Sequence, residues 1–115
     1  MNDIEFFGTL YEKGDVIFKQ GDVGDTLYVI QSGVIEISCQ KDGKKIVLNL
    51  LEQGEFFGEM ALIDDRPRSA TAAALARTRL LPINKRFFSS RTNTDISVIL
   101  QIIRSLCHRI DHTNH

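Results

Sequence analysis

One segment carries residue types unlike the rest of the chain: Phe57-Gly58-Glu59-Met60-Ala61-Leu62-Ile63-Asp64-Asp65-Arg66-Pro67-Arg68-Ser69-Ala70. Gly58 permits close backbone approach and an unusual φ. Residues 59–63 suit a single helical turn, whose first N–H groups, those of Met60 and Ala61 among them, lie open to an anion. Pro67 stiffens the entry to the next strand and has no donor of its own. Arg68 opens an alanine-rich stretch, Ala70, Ala72, Ala73 and Ala74. Small side chains there are expected to leave a hollow beside the guanidinium. An arginine, a helix N-terminus and a hollow together describe a phosphate pocket. Glu59 is the odd member, because a carboxylate near a phosphate costs Coulomb energy. It makes sense as the acceptor for a hydroxyl of the same ligand, and a sugar phosphate or nucleotide supplies both groups.

Each residue also has a plainer reading. Arg68 alone is a surface arginine at a strand start, Glu59 a first-turn acid that favours the helix dipole, and Ser69 a polar strand residue. The combination within one segment favours the pocket. Arg66 and the adjacent pair Asp64-Asp65 read as solvated loop charges. His108, His112 and His115 fall at i, i+4 and i+7, a spacing compatible with a metal face, but a solvated helix end explains them, so no metal is expected. No histidine precedes residue 100, which argues against a small metal-dependent barrel enzyme of the cupin type. No catalytic residues are assigned, and the chain is not expected to be an enzyme.

The elements that must position this segment read as short strands punctuated by glycine. Gly14-Asp15, Gly21-Asp22 and Gly24-Asp25 mark turns, and Gly33, Gly43 and Gly54 continue the series. Val16-Ile17-Phe18 and the continuous apolar run Leu27-Tyr28-Val29-Ile30 are strand candidates. Ile35, Ile37 and Cys39 alternate with Val34, Glu36 and Ser38, and Ile46, Leu48 and Leu50 alternate with Val47 and Asn49. Asp42-Gly43 between these runs predicts a tight hairpin. Ser69 to Leu75 and Thr78 to Ile83 give two more strands, with a turn near Ala76-Arg77. Many short antiparallel strands argue for a barrel or jelly roll. The last quarter changes period: Ile96, Ile99, Ile103, Leu106 and Ile110 form a seam on an amphipathic helix. Thr94-Asp95 offers its cap, and a shorter helical turn is expected at Asn84-Lys85-Arg86-Phe87-Phe88.

Composition bounds the rest. At 115 residues the chain is one domain's worth. Fourteen basic and 15 acidic residues leave a net charge of −1, which argues against a general nucleic-acid binder. The longest apolar run is five residues, Ala72 to Ala76, where a membrane-spanning helix needs about 20. The acidic start Met1-Asn2-Asp3-Ile4-Glu5 has no apolar core of a secretory signal. Cys39 and Cys107 are far apart within apolar patterns and read as reduced thiols in a cytoplasmic protein.

With these residues in place the sequence resembles the cyclic-nucleotide-binding domain family, found in bacterial catabolite activator proteins, protein kinase A regulatory subunits and cyclic-nucleotide-gated channels. The family's phosphate-binding cassette matches over Phe57 to Ala74, with Gly58, Glu59, Arg68, Ser69 and Ala70 at the key places. A second family motif matches in Gly21-Asp22-Val23-Gly24-Asp25-Thr26-Leu27-Tyr28-Val29-Ile30-Gln31-Ser32-Gly33. The resemblance runs from about Tyr11 to the C-terminal helix.

The resemblance implies a mainly β fold: an antiparallel eight-stranded β-roll, jelly-roll-like, over residues 9–83, with a short cassette helix and C-terminal helices over residues 84–112. It implies that Arg68 pairs with the exocyclic oxygens of a cyclic phosphate and that Glu59 accepts the ribose 2′-hydroxyl. The Gly58 and Ala70 N–H groups and the Ser69 hydroxyl would complete the cradle. Serine after the arginine tilts the ligand to cAMP, with cGMP the other candidate. By the same likeness Thr113 or Asn114 lies near the adenine edge.

The chain is thus expected to be a stand-alone sensor that binds a cyclic nucleotide and signals through its C-terminal helix. No helix-turn-helix is expected after that helix, and the effector is expected to be a protein in trans. The Ile96–Ile110 seam is suited to packing on the roll or against its copy, and the resemblance, since family members often dimerise through this helix, favours a homodimer. Two rival readings keep the fold: an interaction module that binds no nucleotide, and the regulatory half of a transcription regulator without its DNA-binding domain.

Overall fold

A computed structural model describes residues 8–63 and 66–84 of the chain. Their order is β1 (Thr9–Tyr11), β2 (Val16–Phe18), β3 (Thr26–Ser32), β4 (Val34–Lys41), β5 (Lys44–Glu52), β6 (Phe56–Phe57), α1 (Met60–Ile63), β7 (Thr71–Ala74) and β8 (Thr78–Asn84). The strands form two four-stranded sheets, ordered β1-β8-β3-β6 and β2-β7-β4-β5. Every pairing is antiparallel. The chain passes repeatedly from one sheet to the other, which is the eight-stranded β-roll expected from the sequence.

The hydrophobic pattern explains which faces meet. Ile30, Leu80 and Phe57 from the first sheet and Ile35, Ala72 and Ala74 from the second form one buried cluster. Each large aliphatic side chain in it contributes roughly 1.5–3 kcal/mol by leaving water. The hairpin between β4 and β5 is closed by Asp42 and Gly43, whose φ values of 55° and 77° suit a two-residue turn of the primed kind.

Two expectations are corrected. The alternation in β5 does not bury one face: Ile46, Leu48 and Leu50 are 40%, 56% and 53% exposed. A register shift opposite Ile37/Ser38 breaks the alternation, and β5 is an edge strand with a neighbour only in β4. Of the alanines expected to leave a hollow beside Arg68, Ala70 does line a cavity there, but Ala72 and Ala74 do not. β7 lies between β2 and β4, and Ala72 and Ala74 are buried in the core, with Phe18 and Ile37 beside Ala72 and Ile35 beside Ala74 on the flanking strands. Asn84 ends β8, and the rest of the helical turn expected over residues 84–88 lies outside the described residues.

The expected C-terminal helix with its Ile96–Ile110 seam, the histidines at 108, 112 and 115, Cys107, Thr113, Asn114, and the pair Asp64-Asp65 all lie outside the described residues. Among the described residues no helix is long and apolar enough to cross a membrane.

Candidate functional site

The site is built where the two sequence motifs meet. The loop that follows β2 holds Arg68 by its backbone: the Arg68 N–H donates to the Asp22 carbonyl at 2.7 Å, and the Gly21 N–H donates to the Arg68 carbonyl at 2.7 Å. This reciprocal pair fixes where the side chain starts. The guanidinium then reaches inward. Its Nη2 donates to the Thr26 carbonyl at 2.8 Å and its Nη1 to the Gly58 carbonyl at 3.2 Å. Its carbon lies 4.0 Å from the centre of the Phe18 ring, within cation–π range. Phe18 is itself one of three packed rings: its centroid is 5.8 Å from that of Phe57 and 6.0 Å from that of Tyr28, and Tyr28 stacks on Phe57 at 5.4 Å.

Two glycines make room for this group. A Cβ on Gly24 would fall 2.8 Å from Arg68 Nη2, and a Cβ on Gly58 would fall 2.8 Å from Arg68 Nη1. Gly58 also has a φ of 81°, which only glycine adopts without strain.

The electrostatics follow from this packing. Burial lowers the Arg68 pKa, and the nearby Tyr28, Asp25 and Asp22 only partly restore it. Arginine starts so high that the group stays cationic. Every bonded partner of this cation is uncharged: two carbonyls and a ring face. Its Nε is buried and has no hydrogen-bond partner among the described residues, which is costly for a donor unless another group completes it. Burial likewise raises the Tyr28 pKa, Tyr11 and Asp25 adding to the rise and Arg68 opposing it.

A cavity of about 440 Å³ opens in front of Arg68, within the range of small-molecule sites. Of the residues singled out in the sequence, Gly58, Glu59, Met60, Ala61, Arg68, Ser69 and Ala70 all lie on its wall. Glu59 is half-buried and makes no hydrogen bond or ion pair among the described residues. Ser69 is exposed and Ala70 half-buried. One detail differs from expectation. The Ala61 N–H is not free, since it donates to the Gly58 carbonyl at 3.2 Å. The rest of the lining is mostly apolar, formed by Phe18, Ile37, Leu51, Phe56 and Pro67, with Asn49 and Arg66 as polar members.

Sequence reasoning missed Phe18, Gly24, Thr26, Tyr28 and Asn49 as parts of this site. Gly24, Thr26 and Tyr28 sit inside the glycine-rich motif of residues 21–33, so that motif pointed to them. Phe18 and Asn49 had no local signal, because strand pairing alone brings them to the cavity.

Comparison with known proteins is consistent with this arrangement. A family model described as "Cyclic nucleotide-binding domain" matches residues 9–95. The chain is 40% identical over 79 residues to a cAMP-dependent protein kinase regulatory subunit of Mucor circinelloides f. lusitanicus, covering 69% of this chain and 18% of that protein. It is 44% identical over 75 residues to the cyclic AMP receptor protein of Thermus thermophilus, covering 64% of this chain and 35% of that protein. Among solved structures, the cAMP-bound form of the EAL enzyme Bd1971 superposes with a TM-score of 0.69 at 39% identity, over 92% of this chain and 28% of that one. The chain therefore spans a fifth to a third of the length of these relatives.

Proposed function

The chain belongs to the cyclic nucleotide-binding domain family, and on that premise we propose that it is a non-catalytic sensor of a cyclic purine nucleotide. The observation that carries this reading is the state of Arg68. Its charge is anchored by neutral groups, its Nε is unpartnered, and it lies on the wall of a cavity with the uncommitted carboxylate of Glu59. A phosphodiester anion supplies the missing charge and acceptor, and a ribose hydroxyl supplies the donor that Glu59 lacks.

In this reading Arg68 pairs with the exocyclic phosphate oxygens and Glu59 accepts the 2′-hydroxyl. The Gly58, Met60 and Ala70 N–H groups and the Ser69 hydroxyl line the phosphate. Ala61 contributes its small side chain to the wall, because its N–H is already bonded to Gly58. Thr113 is assigned to the base by resemblance alone. cAMP is the first ligand expected, from Ser69 and from the cAMP-dependent relatives, and cGMP the second, since the Bd1971 structure also exists in a cGMP-bound form.

Ligand would reorganise the cassette and shift the segment from Asp95 onward between two poses. The size of that signal is limited by the difference in ligand affinity between them. The segment would pass the state on to an effector protein in trans, and its apolar seam suits a homodimer. Nucleic acid and membrane are not expected partners of this weakly acidic roll.

The test is calorimetric titration with cAMP, cGMP and AMP, on the wild type and on Arg68→Ala. Truncating one partner of a buried charge pair should cost about 2–5 kcal/mol of cyclic-nucleotide binding. An Arg68→Ala protein that binds as tightly as the wild type refutes the pocket, and a chain that binds none of the three is an interaction module instead.

A further inference from the structure

Among the described residues the two sheets end in the edge strands β1, β6, β2 and β5, and three of these are guarded by brevity. β1, β2 and β6 have three, three and two residues, whereas β5 has nine. β5 is bonded to β4 alone, and its apolar side chains Ile46, Val47, Leu48 and Leu50 are 40%, 50%, 56% and 53% exposed. A long, apolar, unpaired edge is a template for another strand. The direction of its main-chain groups follows from the hairpin. In a two-residue turn Lys41 and Lys44 are the bonded closing pair. Lys44 and Ile46 therefore turn their N–H and C=O groups to β4, and Lys45 and Val47 turn theirs outward. Ser38 lies opposite Val47 and Ile37 opposite Asn49, so Leu48 is an extra residue that shifts the alternation by one. Beyond it Leu50 and Glu52 face outward. Their N–H groups agree with this, for they donate to side chains: Leu50 to Asn49 Oδ1 at 2.9 Å and Glu52 to Glu55 Oε2 at 2.8 Å.

We propose that the β5 edge is an interface at which two copies of the chain pair β5 antiparallel about a two-fold axis, with Lys45 opposite Glu52 and Val47 opposite Leu50 of the second copy. The inference does not depend on the sensor reading, and the surface is distinct from the seam of residues 96–110. One register sets every outward-facing residue against another: 45 against 52, 47 against 50 and, by symmetry, 50 against 47 and 52 against 45. Each such pair exchanges two main-chain hydrogen bonds, and the Leu50 and Glu52 N–H groups trade a side-chain acceptor for a carbonyl of the second copy. The side chains match as well. Val47 meets Leu50, and Lys45 meets Glu52, which is exposed and makes no ion pair among the described residues. Lys45 is bonded to Glu36 at 2.6 Å, yet its side chain is 54% exposed, and an ammonium has three donors, so it serves both carboxylates. The extra residue selects a second copy over an unrelated strand. An ordinary strand has one residue between successive outward-facing positions and falls out of step across the bulge. The second copy carries two, 48 and 49, at the same place. The contact is isologous, so it closes as a pair and does not propagate into a fibre.

The test is sedimentation equilibrium of the whole chain at low ionic strength, where charge pairs are least screened. It compares the wild type, Lys45→Glu, Glu52→Lys and an equimolar mixture of the two variants. The wild type is expected to self-associate. Each variant alone sets like charges against each other at both ends of the interface and should dimerise more weakly by between about two- and thirtyfold, the worth of two surface ion pairs. Glu52→Lys leaves the bond from Lys45 to Glu36 untouched, so its loss reports the interface and not that internal pair. In the mixture the two acids of one chain meet the two lysines of the other, and the heterodimer should regain wild-type affinity, which also shows that both variants are folded. A wild type that stays monomeric overturns the proposal and leaves the edge to an extended segment of another protein. A dimer that neither reversal weakens overturns it too, because that dimer is made elsewhere. So does a mixture no stronger than its components, because residues 45 and 52 then do not meet.

Discussion

Replacing Gly24 by alanine should weaken ligand binding without touching ligand. The new Cβ would lie 2.8 Å from Arg68 Nη2, 3.1 Å from Nε and 3.3 Å from Cζ, so the guanidinium must move. It cannot retreat sideways, since the Phe18 ring lies on one side at 4.0 Å and the Gly58 backbone on another. The contact that yields is the 2.8 Å bond from Nη2 to the Thr26 carbonyl. A hydrogen bond from a charged donor is worth about 1.5–3 kcal/mol, which corresponds to a loss of between about ten- and hundredfold in affinity if the ligand requires the guanidinium in its present place.

Folding stability should change far less. Release of the guanidinium to water returns the desolvation cost that lowers its pKa, and alanine restricts the unfolded chain by about 0.4–1 kcal/mol. Calorimetric affinity and thermal melting, read together, separate the two effects. Gly43→Ala is the control. It sits at a hairpin tip with a φ of 77° and nothing within 4 Å of its Cβ, so it should lose about 1–2 kcal/mol of stability and keep wild-type affinity. A Gly24→Ala protein with wild-type affinity would refute the idea that the guanidinium must be held between Gly24, Phe18 and Gly58.

Other outcomes follow from the same geometry. Glu59→Gln should lower cAMP affinity by about tenfold, the worth of a charged hydrogen bond, and leave 2′-deoxy-cAMP nearly unchanged; equal losses for both would remove Glu59 from the ribose. Ala72→Val adds volume to a fully buried site between Phe18 and Ile37 and should cost about 1–3 kcal/mol in denaturant melts, with no effect there if the strands can part. The folded pKa of Tyr28 is raised above its usual 10.0. Its contribution to stability is therefore full below pH 10 and is lost as pH climbs through the folded pKa. Melts of wild type and Tyr28→Phe across the alkaline range should diverge there and nowhere below.

Much of this was legible in the residues. Asp42-Gly43 specified its hairpin because few residue pairs accept two positive φ angles. The run Ile35, Ile37, Cys39 specified β4 because alternation has one reading on a half-buried sheet. The cassette was visible because Gly58, Glu59 and Arg68 fall in the order of a motif of the family whose model matches residues 9–95. What stayed hidden depended on pairing between distant residues. β5 looked like β4 from its apolar period, yet it lies at a sheet edge with a register shift, and its apolar side chains meet water. The alanines of β7 suggested an empty space, but the strand is central and its neighbours fill that space. β6 is only two residues long, too short for any period. Phe18 came to the guanidinium through pairing of β2 with β7, which no local pattern encodes.

The grip on Arg68 is made almost wholly of main-chain atoms: the carbonyls of Asp22, Thr26 and Gly58 and the N–H of Gly21. A side-chain exchange at 22 or 26 deletes none of these partners. The address of Arg68 is thus written in backbone, and drift at these two positions is limited by the turn that the Asp22 carboxylate caps through the Lys19 N–H, not by the guanidinium.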